Sequence, residues 1–262
     1  MKLHVSLAAL LMAVFGVSLQ GASIIMPDLS TAPTGWVIDR YSPAGFTDLG
    51  TVEGRNNVLG ITISTDDGLS SRPTAEQSSF YNTQGMGYYL TGGPGSLLSA
   101  DLYIPSSWTN PDDPNYGSYR TDIWGVLSNA TSVTDYVIFG FTNYGGAPRY
   151  RLWDDETGVW IDLDTPVRSD AWTSFGVVFT GSSYIYTING VVVYTDTTND
   201  GSTHFSEVDM QAYNFAGDPS LPGAVPRSYT ALWSNTPVPE PGAWTLLAGG
   251  LGILILRRRH RG

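Results

Sequence analysis

Between residues 24 and 236 no window of a dozen residues keeps a helical period, and this limits the fold more than any other feature of the chain. Short runs rich in Val, Ile, Tyr, Phe and Trp are separated instead by clusters of Gly, Pro, Asn, Asp, Ser and Thr, the signature of strands joined by turns. The pattern predicts strands over 36–41, 58–64, 87–91, 97–104, 122–127 and 136–142, and again over 149–153, 159–163, 174–180, 184–188, 191–195, 208–214 and 229–233. So many short strands at this spacing pack as two sheets. The expected fold class is all-β, a two-sheet antiparallel jelly-roll sandwich, flanked by an N-terminal signal helix and a C-terminal hydrophobic helix. No internal repeat or composition break divides the body. With no cysteine in the chain, a hydrophobic core must hold it, and roughly 210 residues suffice for one.

The stretch AWTSFGVVFTGSSYIYTINGVVVYTD narrows the sandwich type. A Trp precedes an alternating strand, a Gly-Ser turn follows, and Asn189-Gly190 offers the positive φ values of a type I′ hairpin turn. This segment resembles the laminin-G/concanavalin A-like jelly roll, in which late strands carry a Trp start and a Y-x-N-G hairpin. The runs around 101–104 and Trp233 agree with that resemblance.

The two ends carry addresses rather than core. Lys2, an apolar run over 5–19 and the small residues Gly21-Ala22-Ser23 read as a signal peptide over 1–23, with a mature chain starting near Ile24. At the other end, residues 237–262 hold the triplet Pro239, Glu240 and Pro241, an uncharged apolar run over 243–256, and then Arg257, Arg258 and Arg259. The prolines keep the triplet extended, the run seeks lipid, and the arginines stay on the cytoplasmic side. Fourteen residues of helix rise about 21 Å against a hydrocarbon core of about 30 Å, so a transient stop fits better than a lasting anchor. This tail resembles the PEP-CTERM sorting signal. The resemblance implies export, an exosortase-type processing enzyme as partner, a hydrophobic helix held at least transiently in the inner membrane, and a destination at the cell envelope or in the extracellular matrix.

The body from 24 to 236 has eight arginines and no lysine against twenty-three carboxylates, a formal charge of −15. Such a balance excludes nucleic acid and anionic lipid surfaces as general partners. His4 and His260 lie in the two ends, which leaves His204 alone in the body and rules out a multi-histidine metal centre. Nothing resembles a nucleophile elbow. Glu207-Val208-Asp209 begins the E-x-D-x-x-E pattern of laminarinase-like enzymes, but Ala212 stands where the second glutamate would be. Because glycoside hydrolysis needs two carboxyl groups, Glu207 and Asp209 read as ordinary loop-to-strand carboxylates.

Asp196, Thr198, Asp200, Gly201 and Glu207 take positions 1, 3, 5, 6 and 12 of a calcium-type loop, although Thr198 departs from the usual Asp or Asn. A polar turn closing the hairpin is the preferred reading, and no cofactor other than that calcium is suggested. Asp66-Asp67, Asp112-Asp113 and Asp154-Asp155 read as solvated turns. Aromatic residues cluster mid-chain: Trp108, Trp124, Trp153 and Trp160, with Tyr116, Tyr119, Tyr144 and Tyr150. Burial is their default, and Trp124 in its apolar strand reads as core, whereas Trp153 and Trp160, flanking an acidic turn, read as surface groups able to stack on sugar. The favoured expectation is a noncatalytic exported protein whose sandwich binds glycan. A carbohydrate-active enzyme with an atypical site and a purely structural matrix component are the alternatives.

Overall fold

The turn-punctuated pattern folds into strands and single 3-10 turns throughout the computed structural model, which describes residues 23–235. The proposed signal peptide and the tail with Pro239, Glu240, Pro241, Arg257, Arg258 and Arg259 therefore lie outside the described residues, apart from Ser23. Among the described residues no helix is long and apolar enough to cross a membrane.

The strands are β1 (Ser23–Ile24), β2 (Val37–Ile38), β3 (Gly45–Asp48), β4 (Leu59–Ile63), β5 (Thr83–Gly92), β6 (Ser96–Ile104), β7 (Arg120–Ser128), β8 (Val133–Thr142), β9 (Arg149–Asp154), β10 (Val159–Asp162), β11 (Ala171–Phe179), β12 (Tyr184–Ile188), β13 (Val191–Asp196), β14 (His204–Tyr213) and β15 (Tyr229–Ser234). They form two sheets, ordered β13-β12-β11-β6-β15-β4-β3 and β10-β9-β8-β7-β14-β5-β2. Every strand pair is antiparallel except β1 with β6, where Ser23 and Ile24 align with Ser96 and Leu97. β15 covers only the far end of β6, Asp101 to Tyr103, so β1 pairs the part that β15 leaves open.

Period-2 alternation sends one face of each sheet inward. On β14 the inward set is Phe205, Val208, Met210 and Ala212, and on β8 it is Val137, Phe139 and Phe141. From the other sheet come Leu98, Ala100 and Leu102 of β6, Phe175 and Val177 of β11, and Trp233 of β15. Phe139 and Phe175 meet edge to face with ring centroids 4.8 Å apart, joining the two layers. Burying each such side chain contributes about 1.5–3 kcal/mol.

All thirteen expected strands form, although 36–41 shrinks to Val37–Ile38, and two short ones, β1 and β3, escaped the pattern. Asn189 and Gly190 have φ of 50° and 76° and join β12 to β13, as their positive-φ requirement demands.

Candidate functional site

The outward face of the second sheet gathers the polar residues that its strands alternate away from the core. On β14 these are Glu207, Asp209 and Gln211. Across from them on β5 stand Gly87 opposite Asp209 and Gly85 opposite Gln211. Those glycines leave room for the neighbouring side chains to lie over them. A Cβ on Gly87 would fall 2.5 Å from Asp209 Oδ1 and collide with the Glu207 carboxyl, and one on Gly85 would fall 2.8 Å from Gln211 Cγ. Gly140 on β8 does the same for Asp122 of β7, whose Oδ1 would sit 2.5 Å from an added Cβ. Glycine is thus required here for close approach, with no call on positive φ.

Glu207 and Asp209 meet over Gly87. Asp209 is buried, and its Oδ1 has no hydrogen-bond partner. Burial, together with the charges of Asp39 and Glu207, holds its carboxyl well above the usual carboxylate range. Burial also raises Glu207, against the pull of its hydrogen-bonding contact with Asp209. Asp39, one residue beyond β2, is raised by burial as well. Its Oδ2 accepts from Gln211 Nε2 at 2.6 Å and lies 3.4 Å from Arg40 Nε. Asp39, just past β2, therefore acts by its charge on the Glu207 and Asp209 pair of β14.

Beside the cluster lies a cavity of about 310 Å³, lined by Arg40, Trp124, Tyr136, Trp153, Asp155 and Trp160 among others. Trp124 is the cross-strand partner of Asp209, and Trp153 faces Trp160 across β9 and β10 with centroids 5.4 Å apart. Arg40 stands 4.7 Å over the Trp124 ring. A second cavity of about 390 Å³ shares Arg120 and Trp160 with the first and continues past Arg149, Arg151, Tyr144 and Phe215. Together the two make a trough of aromatic faces, guanidinium groups and carboxyls along the sheet.

The structure corrects several expectations. Glu207 and Asp209 belong to the middle of β14, in a shared, partly desolvated site, and are not loop-to-strand carboxylates; the one-dimensional pattern gave no sign that Gly87 would hold them together. Trp124 is buried, but against Arg40 on the outer face rather than in the core. Asp155 is more than a solvated turn residue, since its Oδ1 accepts from Trp153 Nε1 at 3.0 Å and it lines the first cavity. Trp153 and Trp160 do lie on the outer face, while Trp108, Tyr119 and Tyr150 are core.

Of the 196–207 segment, residues 197–203 form a polar turn between β13 and β14: Asp196 Oδ1 accepts from Thr198 N, and Asn199 Oδ1 accepts from Gly201 N and Ser202 N. Glu207 points instead to Gly87, and among the described residues no group of three or more His, Asp or Glu side chains is placed to hold a metal. His204 opens β14, with Nδ1 2.9 Å from Thr203 Oγ1. Asp39, Arg40, Arg120 and Arg151 join the site without any motif in the sequence that marks them. Their only advance signal was a body whose basic residues are all arginine.

No protein-family model and no curated protein sequence matches the chain. Solved structures match it in shape. A Bacillus licheniformis β-glucanase is 14% identical, with 82% of this chain and 95% of that one covered and a TM-score of 0.45. LamAcat from Zobellia galactanivorans is 12% identical over 83% and 96% of the two chains, with a TM-score of 0.46. A LamA variant from Z. galactanivorans, in complex with laminaritriose and laminaritetraose, is 10% identical over 81% and 96%, also at 0.46. At these identities the likeness concerns the fold alone, a two-sheet antiparallel sandwich. Against the expectation of a noncatalytic body stand β-glucanases and other glycoside hydrolases of this shape, matched over nearly their whole length; an agglutinin from chicken liver and a galectin from Caenorhabditis elegans share the shape as well.

Proposed function

We propose that the protein is carbohydrate-active, taking a glycan chain along the outer face of the second sheet and hydrolysing it with the carboxyl cluster. In this reading the body is a concanavalin A-like jelly roll whose sheet serves as the substrate platform. One observation carries the proposal: Glu207 and Asp209 meet over Gly87, and Asp209 pairs across the sheet with Trp124, which lines a cavity with Trp153 and Trp160. The C–H-rich faces of sugar rings stack on flat aromatic groups, while their hydroxyls need the charged donors and acceptors at the rim. A cavity of about 310 Å³ accommodates a sugar unit, and its continuation accommodates a chain.

Hydrolysis requires one carboxyl that delivers a proton to the leaving oxygen and one carboxylate on the other side of the scissile bond, some 5–10 Å apart. Glu207 and Asp209 are in contact, too close to flank that bond, so they act as one unit. Asp209 retains its proton and positions Glu207, the more exposed of the two, as the attacking carboxylate or base. Asp39, just beyond β2, is the proton donor: Gln211 and Arg40 hold its Oδ2, and burial favours its protonated form. The glycosidic oxygen then leaves with the Asp39 proton while water completes the cleavage at the anomeric carbon.

Release of reducing ends from a polysaccharide panel tests the proposal. Turnover by the wild type, lost in both Glu207→Gln and Asp39→Asn with binding retained, is the expected result. Binding by the wild type with no turnover on any member of the panel would refute it.

The leader and the tail support delivery of this domain outside the cytoplasm through PEP-CTERM sorting, with an exosortase-type enzyme reading Pro239–Pro241. Mass spectrometry of the cellular protein checks this; an intact Arg257–Gly262 terminus on most molecules would refute processing.

A further inference from the structure

The first cavity carries the proposed chemistry, and the second has a different character. Three arginines line it: Arg120, Arg149 and Arg151. Two are matched by carboxylates. Arg120 Nε lies 2.7 Å from Asp122 Oδ2, and Arg149 Nε lies 2.8 Å from Asp162 Oδ2. Arg151 has no such match among the described residues. Its guanidinium lies 3.7 Å over the Trp160 ring, its Nε is buried without a hydrogen-bond partner, and only 9% of the residue is exposed.

A buried cation without a partner is costly, and this one stands among others of the same sign. Burial and the neighbouring Arg120 push it down to about 9, against the partial compensation of Asp122. Trp160 stacking recovers part of that cost but satisfies none of the N–H groups. Arg151 lines the cavity, and a planar guanidinium fits a carboxylate or a sulfate in two parallel hydrogen bonds.

The body's charge of −15 makes a cluster of this sign exceptional on its surface. The cavity also continues the glycan trough through its shared residues Arg120 and Trp160. We infer that the second cavity is a subsite for an oxyanion carried by the glycan itself, either the carboxylate of a uronic acid or a sulfate ester, with Arg151 as the principal ligand and Arg149 beside it. The inference rests on the glycan-binding reading of this face and names the substrate class: an acidic polysaccharide.

Calorimetric titration of the full protein with three hexamers tests it: neutral laminarihexaose, hexaguluronate for the carboxylate, and a sulfated galactan hexamer for the sulfate. At least one charged hexamer is expected to bind about tenfold more tightly than the neutral one, the factor that a single charge-assisted hydrogen bond supplies. The tighter of the two identifies the oxyanion. Arg151→Gln is expected to erase that preference. If Arg151→Gln fails to fold, Arg149→Gln is expected to reduce the same preference.

Equal affinity for all three hexamers, or a preference that survives a folded Arg151→Gln, overturns this inference and leaves the glycan reading standing. Failure of every hexamer to bind overturns both.

Discussion

Asp209→Asn is the sharpest probe of the cluster, because it removes an ionisation while keeping the side chain's shape. In the folded protein Asp209 is held well above the carboxylate range by burial and by two neighbouring acids. In the unfolded chain it titrates near 3.9. Between that value and the raised folded one, the native state holds a proton that the unfolded state has released. Stability linked to this group is therefore fully present below about pH 4 and declines as pH rises. The slope is at most about 1.4 kcal/mol per pH unit, or about 2.7 kcal/mol between pH 5 and pH 7. Asn carries no titrating proton, and its amide still donates to Glu207, so the variant lacks this slope. The raised Glu207 and Asp39 have the same sign but are present in both proteins. Urea unfolding of both proteins at pH 5, 6 and 7 reads the effect as a stability difference that moves in favour of Asn with each pH step. A difference that stays constant across the three pH values would show that Asp209 is ionised in the folded protein, and the proton-sharing account of the site would fail.

Gly87→Ala places a methyl group against Glu207 and Asp209; turnover is expected to fall by at least tenfold while unfolding free energy changes by less than about 2 kcal/mol, since a flexible carboxyl arm can yield. Phe175→Ala should cost about 3–5 kcal/mol in denaturant unfolding, because its ring touches Phe139, Tyr150 and Trp233 across the two layers. Gly190→Ala, at a φ of 76° in the β12–β13 turn, should cost about 1 kcal/mol with the activity unchanged.

The fold was legible because strand alternation and turn chemistry are local. Asn189-Gly190 announces its hairpin in two residues, and β12 begins and ends where its apolar run does. The misses are equally local in origin. β3 is Gly-Phe-Thr-Asp, with one apolar side chain in four, and β5 begins with Thr-Gln-Gly, where nothing apolar signals a strand. The site was not legible, because its residues meet only through register. Asp209 lies opposite Gly87 on one side and Trp124 on the other, more than eighty residues away in each case, and no spacing rule within β14 reports either neighbour. The pattern ending in Ala212 pointed to a missing acid along the strand, whereas the donor proposed above, Asp39, stands just beyond β2, with β5 between it and β14, and is tied to Gln211.

The all-arginine basic complement is the one compositional trace of the site, and the trough explains its form. Three of the four arginines bordering the cavities face aromatic rings: Arg40 lies over Phe80 and Trp124, Arg120 over Trp160 and Tyr213, and Arg151 over Trp160. A lysine ammonium is strongly hydrated and has no planar face, so at these positions it would either withdraw to solvent or lose its water without stacking. Guanidinium groups can lie flat on the indoles and still direct N–H groups sideways into the trough. The cations thereby stay within the same layer as the tryptophans that a sugar would stack on, and the open face can present aromatic surface and fixed positive charge to a single ligand. Among the described residues carboxylates outnumber arginines nearly three to one, so the proposed docking of an acidic chain depends on the arginines gathered on this face.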